Sequence, residues 1–124
     1  MENYIEYIEK IDSIKNIDTT LLNIAYLLPL VPENTNDEKN TQRFIEFYRG
    51  SILALNDAKK NGLSANIYTY NLPKNPNKID SVLLLLNNKN IDIIIGPAYS
   101  EQLDKVLTYT QNHNITTIVP FSNK

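Results

Sequence analysis

Apolar residues fall along this chain in two rhythms, and the changes between them lay out the elements. Residues 1–20 place isoleucine at 5, 8, 11, 14 and 17 among polar neighbours. At 100° per residue a spacing of three slips round a helix, so only part of that stripe can face one neighbour. The best seams are Tyr4, Ile8 and Ile11, overlapped by Tyr7, Ile11 and Ile14. We read residues 1–20 as a short N-terminal amphipathic helical arm and residues 21–124 as one α/β unit. Leu22 to Leu28 is a core strand stopped by Pro29, followed by a polar loop to Asn40. From Thr41 to Asn61 the period changes, with Phe44, Phe47, Tyr48, Ile52, Leu55 and Ala58 marking one buried helix face and Asn61-Gly62 the stop.

The second half repeats this alternation. Ala65 to Tyr70 reads as a strand, and Asn75-Pro76 suits the start of a helix through Leu86. Val82 to Leu86 is apolar nearly all round, so that helix is either deeply buried or covered by something else. Ile91-Asp92-Ile93-Ile94-Ile95 has four isoleucines in five positions and no alternation. A run of that kind suits a parallel strand buried on both faces. It stops at Gly96-Pro97, and Ser100 is placed to cap a helix over Glu101 to Asn112 whose inner face carries Leu103, Val106, Leu107 and Thr110. Ile115 to Pro120 is the last strand. The order arm-β-α-β-α-β-α-β predicts a doubly wound parallel sheet of about four strands, order 2-1-3-4, with flanking helices.

Composition narrows the partners. The chain has 124 residues, 42% hydrophobic and 21% charged, with net charge −2, which describes one globular domain. Lys and Arg form no stripe interleaved with aromatics, so nucleic acid is not an expected partner. No apolar run approaches the length of a transmembrane helix. The first residues lack the pattern of a signal peptide. With no cysteine and one histidine, His113, the chain offers no thiolate or paired-histidine metal site, and we expect no cofactor. Three glycines in all leave no room for a dinucleotide-binding or P-loop signature. No serine sits in a nucleophile elbow, and an enzyme is not expected.

What remains is a row of groups at the carboxyl ends of the strands: Leu30, Asn71, Ala98, Tyr99, Ser100, Phe121 and Ser122. Open α/β sheets bind ligands at that edge. A helix N-terminus there favours an anion by about 0.3–1 kcal/mol.

The segments Leu27-Leu28-Pro29-Leu30, Phe44 to Leu55, Asp92 to Ser100 with its Gly-Pro-x-Tyr-Ser turn, and Ile118-Val119-Pro120-Phe121-Ser122 resemble the first lobe of type I periplasmic-binding-protein-like domains. The resemblance is to the branched-chain amino-acid-binding type, particularly versions attached to LysM modules in Bacteroidetes-like bacteria. It implies half of a two-lobed fold and a non-catalytic ligand-binding lobe for an amino acid or similar small polar solute. It further implies ligand contacts at Ala98, Tyr99, Ser100 and Ser122, and a periplasmic or cell-envelope setting for the parent protein. The alternative it allows is a cell-envelope interaction or regulatory domain of the same fold with no small ligand. The family's second lobe and returning segments have no counterpart in the 124 residues. Weak binding is therefore expected, together with self-association into a homodimer or larger assembly through the arm or the side of the fourth strand.

Overall fold

A computed structural model describes residues 21–34, 38–75 and 77–120. The expected arm over residues 1–20, and Phe121 and Ser122 of the expected site, lie outside these. Strand β1 (Leu22–Leu28), helix α1 (Glu38–Lys60), β2 (Ala65–Asn71), α2 (Lys78–Leu85), β3 (Ile93–Ile95), α3 (Ser100–His113) and β4 (Thr116–Ile118) follow one another. All pairings are parallel and the order is β2-β1-β3-β4, as the alternation of periods predicts.

The core forms because β1 and β3 are apolar on both faces and helices cover both. Leu22, Ile24, Tyr26 and Leu28 point to one side with Ile93 and Ile95, where Phe44, Phe47 and Leu55 of α1 meet them. Ala25, Leu27 and Ile94 point to the other, against Ile79, Val82 and Leu83 of α2 and Val106 of α3. One helix therefore lies on the first face and two on the second. Burying each aliphatic side chain of this kind contributes about 1.5–3 kcal/mol.

Within this core the α1 face holds a polar link. The hydroxyls of Tyr26 and Ser51 are hydrogen-bonded, and neither residue is exposed. The Tyr26 ring meets Tyr48 edge-on at 4.9 Å, and Tyr48 bonds through its hydroxyl to Thr69 Oγ1 at 2.9 Å, tying α1 to β2.

Helix ends follow the local chemistry. Gly62, at φ 108°, closes α1 with Leu63 N–H donating to Ala58 O at 3.0 Å. Asn114, at φ 56°, does the same for α3, and Ile115 N–H donates to Thr110 O at 2.9 Å. Both are six-to-one closures around a left-handed residue.

Several boundaries and faces differ from expectation. Helix α2 starts after Asn77 rather than at Pro76, because Asn75 Oδ1 takes the Asn77 N–H in a local turn (2.9 Å). Its apolar run splits: Val82, Leu83 and Leu86 are buried, but Leu84 and Leu85 are 68% and 55% exposed. On α3 the inner face carries Gln102, Val106 and Thr110, while Leu107 turns to solvent. The Gly-Pro turn sets the rotation of that helix, and it brings Gln102 inward. Strand β4 shrinks to three residues, since only Thr116 to Ile118 find partners on the equally short β3.

Candidate functional site

The carboxyl edge is built around the turn after β3. Gly96 has φ 136°, and the Gly96–Pro97 peptide is cis. Its N–H donates to Ile118 O at 2.9 Å, so the turn is tied to β4 before the chain leaves the sheet. A Cβ on Gly96 would overlap the carbonyl oxygen of Leu27 and stand 3.0 Å from that carbonyl carbon. Glycine is required here both by φ and by the closeness of β1.

The turn delivers α3 one residue earlier than the sequence suggests. Tyr99 is the N-cap, with extended backbone (φ −114°, ψ 137°), and makes no side-chain capping bond. Ser100 is the first helical residue, and its hydroxyl donates to Glu101 Oε1 at 3.4 Å instead of capping. The expected cap role of Ser100 is therefore corrected: the two residues of the Gly-Pro turn leave Tyr99, not Ser100, at the junction. The first-turn N–H groups of Ser100 and Glu101 have no i−4 partner by helix geometry, and both residues are exposed. Gln102 N–H closes back on Tyr99 O at 3.0 Å.

Around that N-terminus the loops supply one aromatic, one cation and one buried amide. The Tyr99 ring is half-buried and lies 6.5 Å from Phe44 of α1, tilted by 57°. Lys74 Nζ, from the loop after β2, stands 5.4 Å from the Tyr99 ring centre and 3.9 Å from Glu101 Oε2. The Lys74–Glu101 pair is well exposed, so it contributes little stability, and it places one positive and one negative charge side by side at the edge. Gln102, 1% exposed, donates from Nε2 to Pro73 O at 2.7 Å, while its Oε1 is buried without a partner. This amide ties the β2 loop to α3.

Of the expected site residues, the structure brings Ala98, Tyr99 and Ser100 together at one corner. Ala98 is half-buried against the α1-side core, with Leu30 beside that same cluster. Asn71 is committed elsewhere, for its Oδ1 accepts from Leu30 N–H and Val31 N–H at 2.8 and 3.0 Å. It holds the loop after β1 in place rather than offering its amide oxygen to a ligand. Lys74 and Gln102 were not singled out from the sequence. Lys74 lies between two prolines with nothing to indicate its reach, and Gln102 occupies a helical position that reads as exposed until the turn is known.

A second feature lies away from this edge. A shallow groove of about 680 Å³ runs between α2 and α3 on their outer side, lined by Asp80, Leu83, Leu84, Asn87, Lys105, Tyr109 and His113 among others. An exposed Lys105–Asp80 ion pair of 3.0 Å bridges it. At the other end Tyr109 stacks on His113 with ring centres 4.1 Å apart and donates its hydroxyl to Asn87 Oδ1 at 2.9 Å. His113 Nδ1 donates to Tyr109 O at 2.8 Å. Burial pushes the Tyr109 phenol up from its ordinary value.

Among the described residues no cluster of three or more His, Cys, Asp or Glu side chains could hold a metal ion, and no helix is long and apolar enough to cross a membrane. No family model, no curated protein and no solved structure matches the chain.

Proposed function

We propose that this chain is a non-catalytic ligand-binding lobe of an extracytoplasmic solute-binding protein, taking an amino acid or a similar small polar solute at the carboxyl edge of its sheet. The observation that carries this reading is the convergence at the start of α3. The free N–H groups of Ser100 and Glu101, the half-buried Tyr99 ring and the Lys74 ammonium lie within one corner where the β2 and β3 loops meet beside Phe44 of α1. Helix N–H groups and a lysine suit a carboxylate, and an aromatic wall suits the apolar part of a small solute. The corner is open, so a single lobe supplies one wall and does not exclude water. Binding is accordingly weak, with Kd worse than about 1 mM. The resemblance of the Gly96 to Ser100 turn to type I periplasmic-binding-protein-like domains supports the same reading, and with it a periplasmic or envelope setting.

The alternative is a cell-envelope interaction domain of the same fold with no small ligand. The α2–α3 groove favours it, because the exposed Leu84 lines this concave surface on the outer side of the two helices.

A titration of the isotopically labelled chain with free amino acids, followed through backbone amide resonances, separates the two. Saturable shifts at Ser100, Glu101 and Gln102 at about 1–50 mM ligand, reduced by Lys74→Ala, are expected. Flat resonances at the start of α3 across all amino acids overturn the solute-binding reading. Shifts at Leu84, Asn87 and Tyr109 with wall fragments or wall enzymes favour the alternative.

A further inference from the structure

Among the described residues the sheet ends on one side at β4, three residues long, and on the other at β2, which runs for seven. In β2 the backbone groups of Asn66, Tyr68 and Tyr70 face β1. This follows from the flanking bonds, Leu22 N–H to Ser64 O and Leu72 N–H to Leu28 O, taken with the parallel register Leu22↔Ala65 to Leu28↔Asn71. The N–H and C=O groups of Ala65, Ile67, Thr69 and Asn71 therefore point away from the sheet, and among the described residues nothing is bonded to them. Natural edge strands are usually blunted by lysine, proline or a bulge. The strand Ala65-Asn66-Ile67-Tyr68-Thr69-Tyr70-Asn71 has no charge and no proline, and it pairs residue for residue with β1 without a bulge.

We propose that β2 pairs antiparallel with β2 of a second copy of this chain, across a two-fold axis at Tyr68, to form a continuous eight-stranded sheet. The alternation of outward-facing backbone groups along an uncharged, bulge-free strand is the observation that selects this occupant. About Tyr68 the outward-facing residues map onto one another: Ile67 opposes Thr69 of the second copy and Ala65 opposes Asn71. Each such pair exchanges two backbone hydrogen bonds. Tyr68 meets its own copy as a non-hydrogen-bonded pair on the α2–α3 side, the arrangement in which side chains approach most closely. All seven residues overlap, and no like charges are brought together within the strand. A two-fold contact must be self-complementary, and an uncharged edge with odd residues facing outward on both sides of its centre satisfies that condition.

One cost is visible. Lys89 Nζ lies 5.7 Å from the centre of the Tyr68 ring, so the axis brings two ammonium groups to flank the paired rings. Their repulsion weakens the dimer and makes it tighten with added salt. An edge contact of this size is also smaller than a standard stable interface, so half-association lies at about 0.1–1 mM.

The test is hydrogen exchange on the wild-type chain at two concentrations, about 20 µM and about 1 mM, with mass measured by sedimentation. At low concentration the amides of Asn66, Tyr68 and Tyr70 are protected and those of Ile67 and Thr69 exchange freely. At high concentration the weight-average mass rises to at least about one and a half times that of the monomer, and exchange at Ile67 and Thr69 slows in proportion to the dimer fraction. Lys89→Gln shifts half-association to about two- to threefold lower concentration. In this cysteine-free chain, Tyr68→Cys gives an oxidised disulfide dimer, and Thr116→Cys on β4 does not. A monomer mass at 1 mM overturns the proposal. A dimer in which Ile67 and Thr69 still exchange freely overturns it as well, and assigns the contact to the α2–α3 groove or to β4.

Discussion

Gly96 lies so close to Leu27 that a methyl group on its α-carbon would overlap the Leu27 carbonyl oxygen. The corner at the start of α3 exists because β3 turns out of the sheet directly against β1, at a φ of 136°. Gly96→Ala combines an unfavourable φ with a clash against main chain that cannot move independently of the core. A loss of more than about 3 kcal/mol in urea unfolding is expected. A change below about 1 kcal/mol would mean that β1 and the turn yield together.

The Tyr26–Ser51 hydroxyl pair is buried where α1 crosses β1. Tyr26→Phe leaves the Ser51 hydroxyl without this partner and costs about 1–2 kcal/mol. Adding Ser51→Ala recovers part of that loss, because the stranded group is then gone. The double-mutant cycle is read from chemical denaturation.

Thr117 Oγ1 is buried without a hydrogen-bond partner in β4. Thr117→Val keeps the branched shape suited to a strand and removes the stranded hydroxyl. A gain of about 0.5–1 kcal/mol is expected, visible as a higher melting temperature. No gain would place an ordered water on this oxygen.

Burial raises the Tyr109 phenol above its ordinary value. The folded chain therefore holds that proton to higher pH than the unfolded chain. Its contribution is fully present below the unfolded tyrosine value near 10 and is lost as pH rises through the folded one. Absorbance titration of the wild type against Tyr109→Phe is expected to show that the missing transition is a late one among the eight tyrosines.

The alternation of periods along the chain was enough to read the parallel sheet and its order. Leu22 to Leu28 and the run ending at Ile95 could be recognised as inner strands because nothing polar interrupts either face except Asn23 and Asp92. Those two meet at the amino edge, where Asn23 N–H donates to Asp92 Oδ2 at 2.8 Å. The helix stop at Asn61-Gly62 was equally legible, since a left-handed closure is a local demand on one residue.

The candidate site was legible only as an address. Ala98, Tyr99 and Ser100 follow a strand that must be central, which places them at the carboxyl edge. Which of them caps, and which faces inward, depends on how the Gly-Pro turn rotates α3, and a shift of one residue turns a helix by 100°. That rotation exposes Leu107, buries Gln102 and makes Tyr99 the junction.

By itself, then, the sequence determined the strand order, the stop of α1 at Gly62 and which residues follow the central strand at the carboxyl edge, because these follow from local period and backbone preference. Only the tertiary structure decided that Asn71 serves the β1 loop, that Lys74 reaches Tyr99, and that Leu84 and Leu85 line open surface. It also decided that, among the described residues, the longer unpaired edge is β2 rather than β4. Each of these depends on which residues from distant segments arrive within a few ångströms of one another, a distance set by packing of the whole sheet and its three helices.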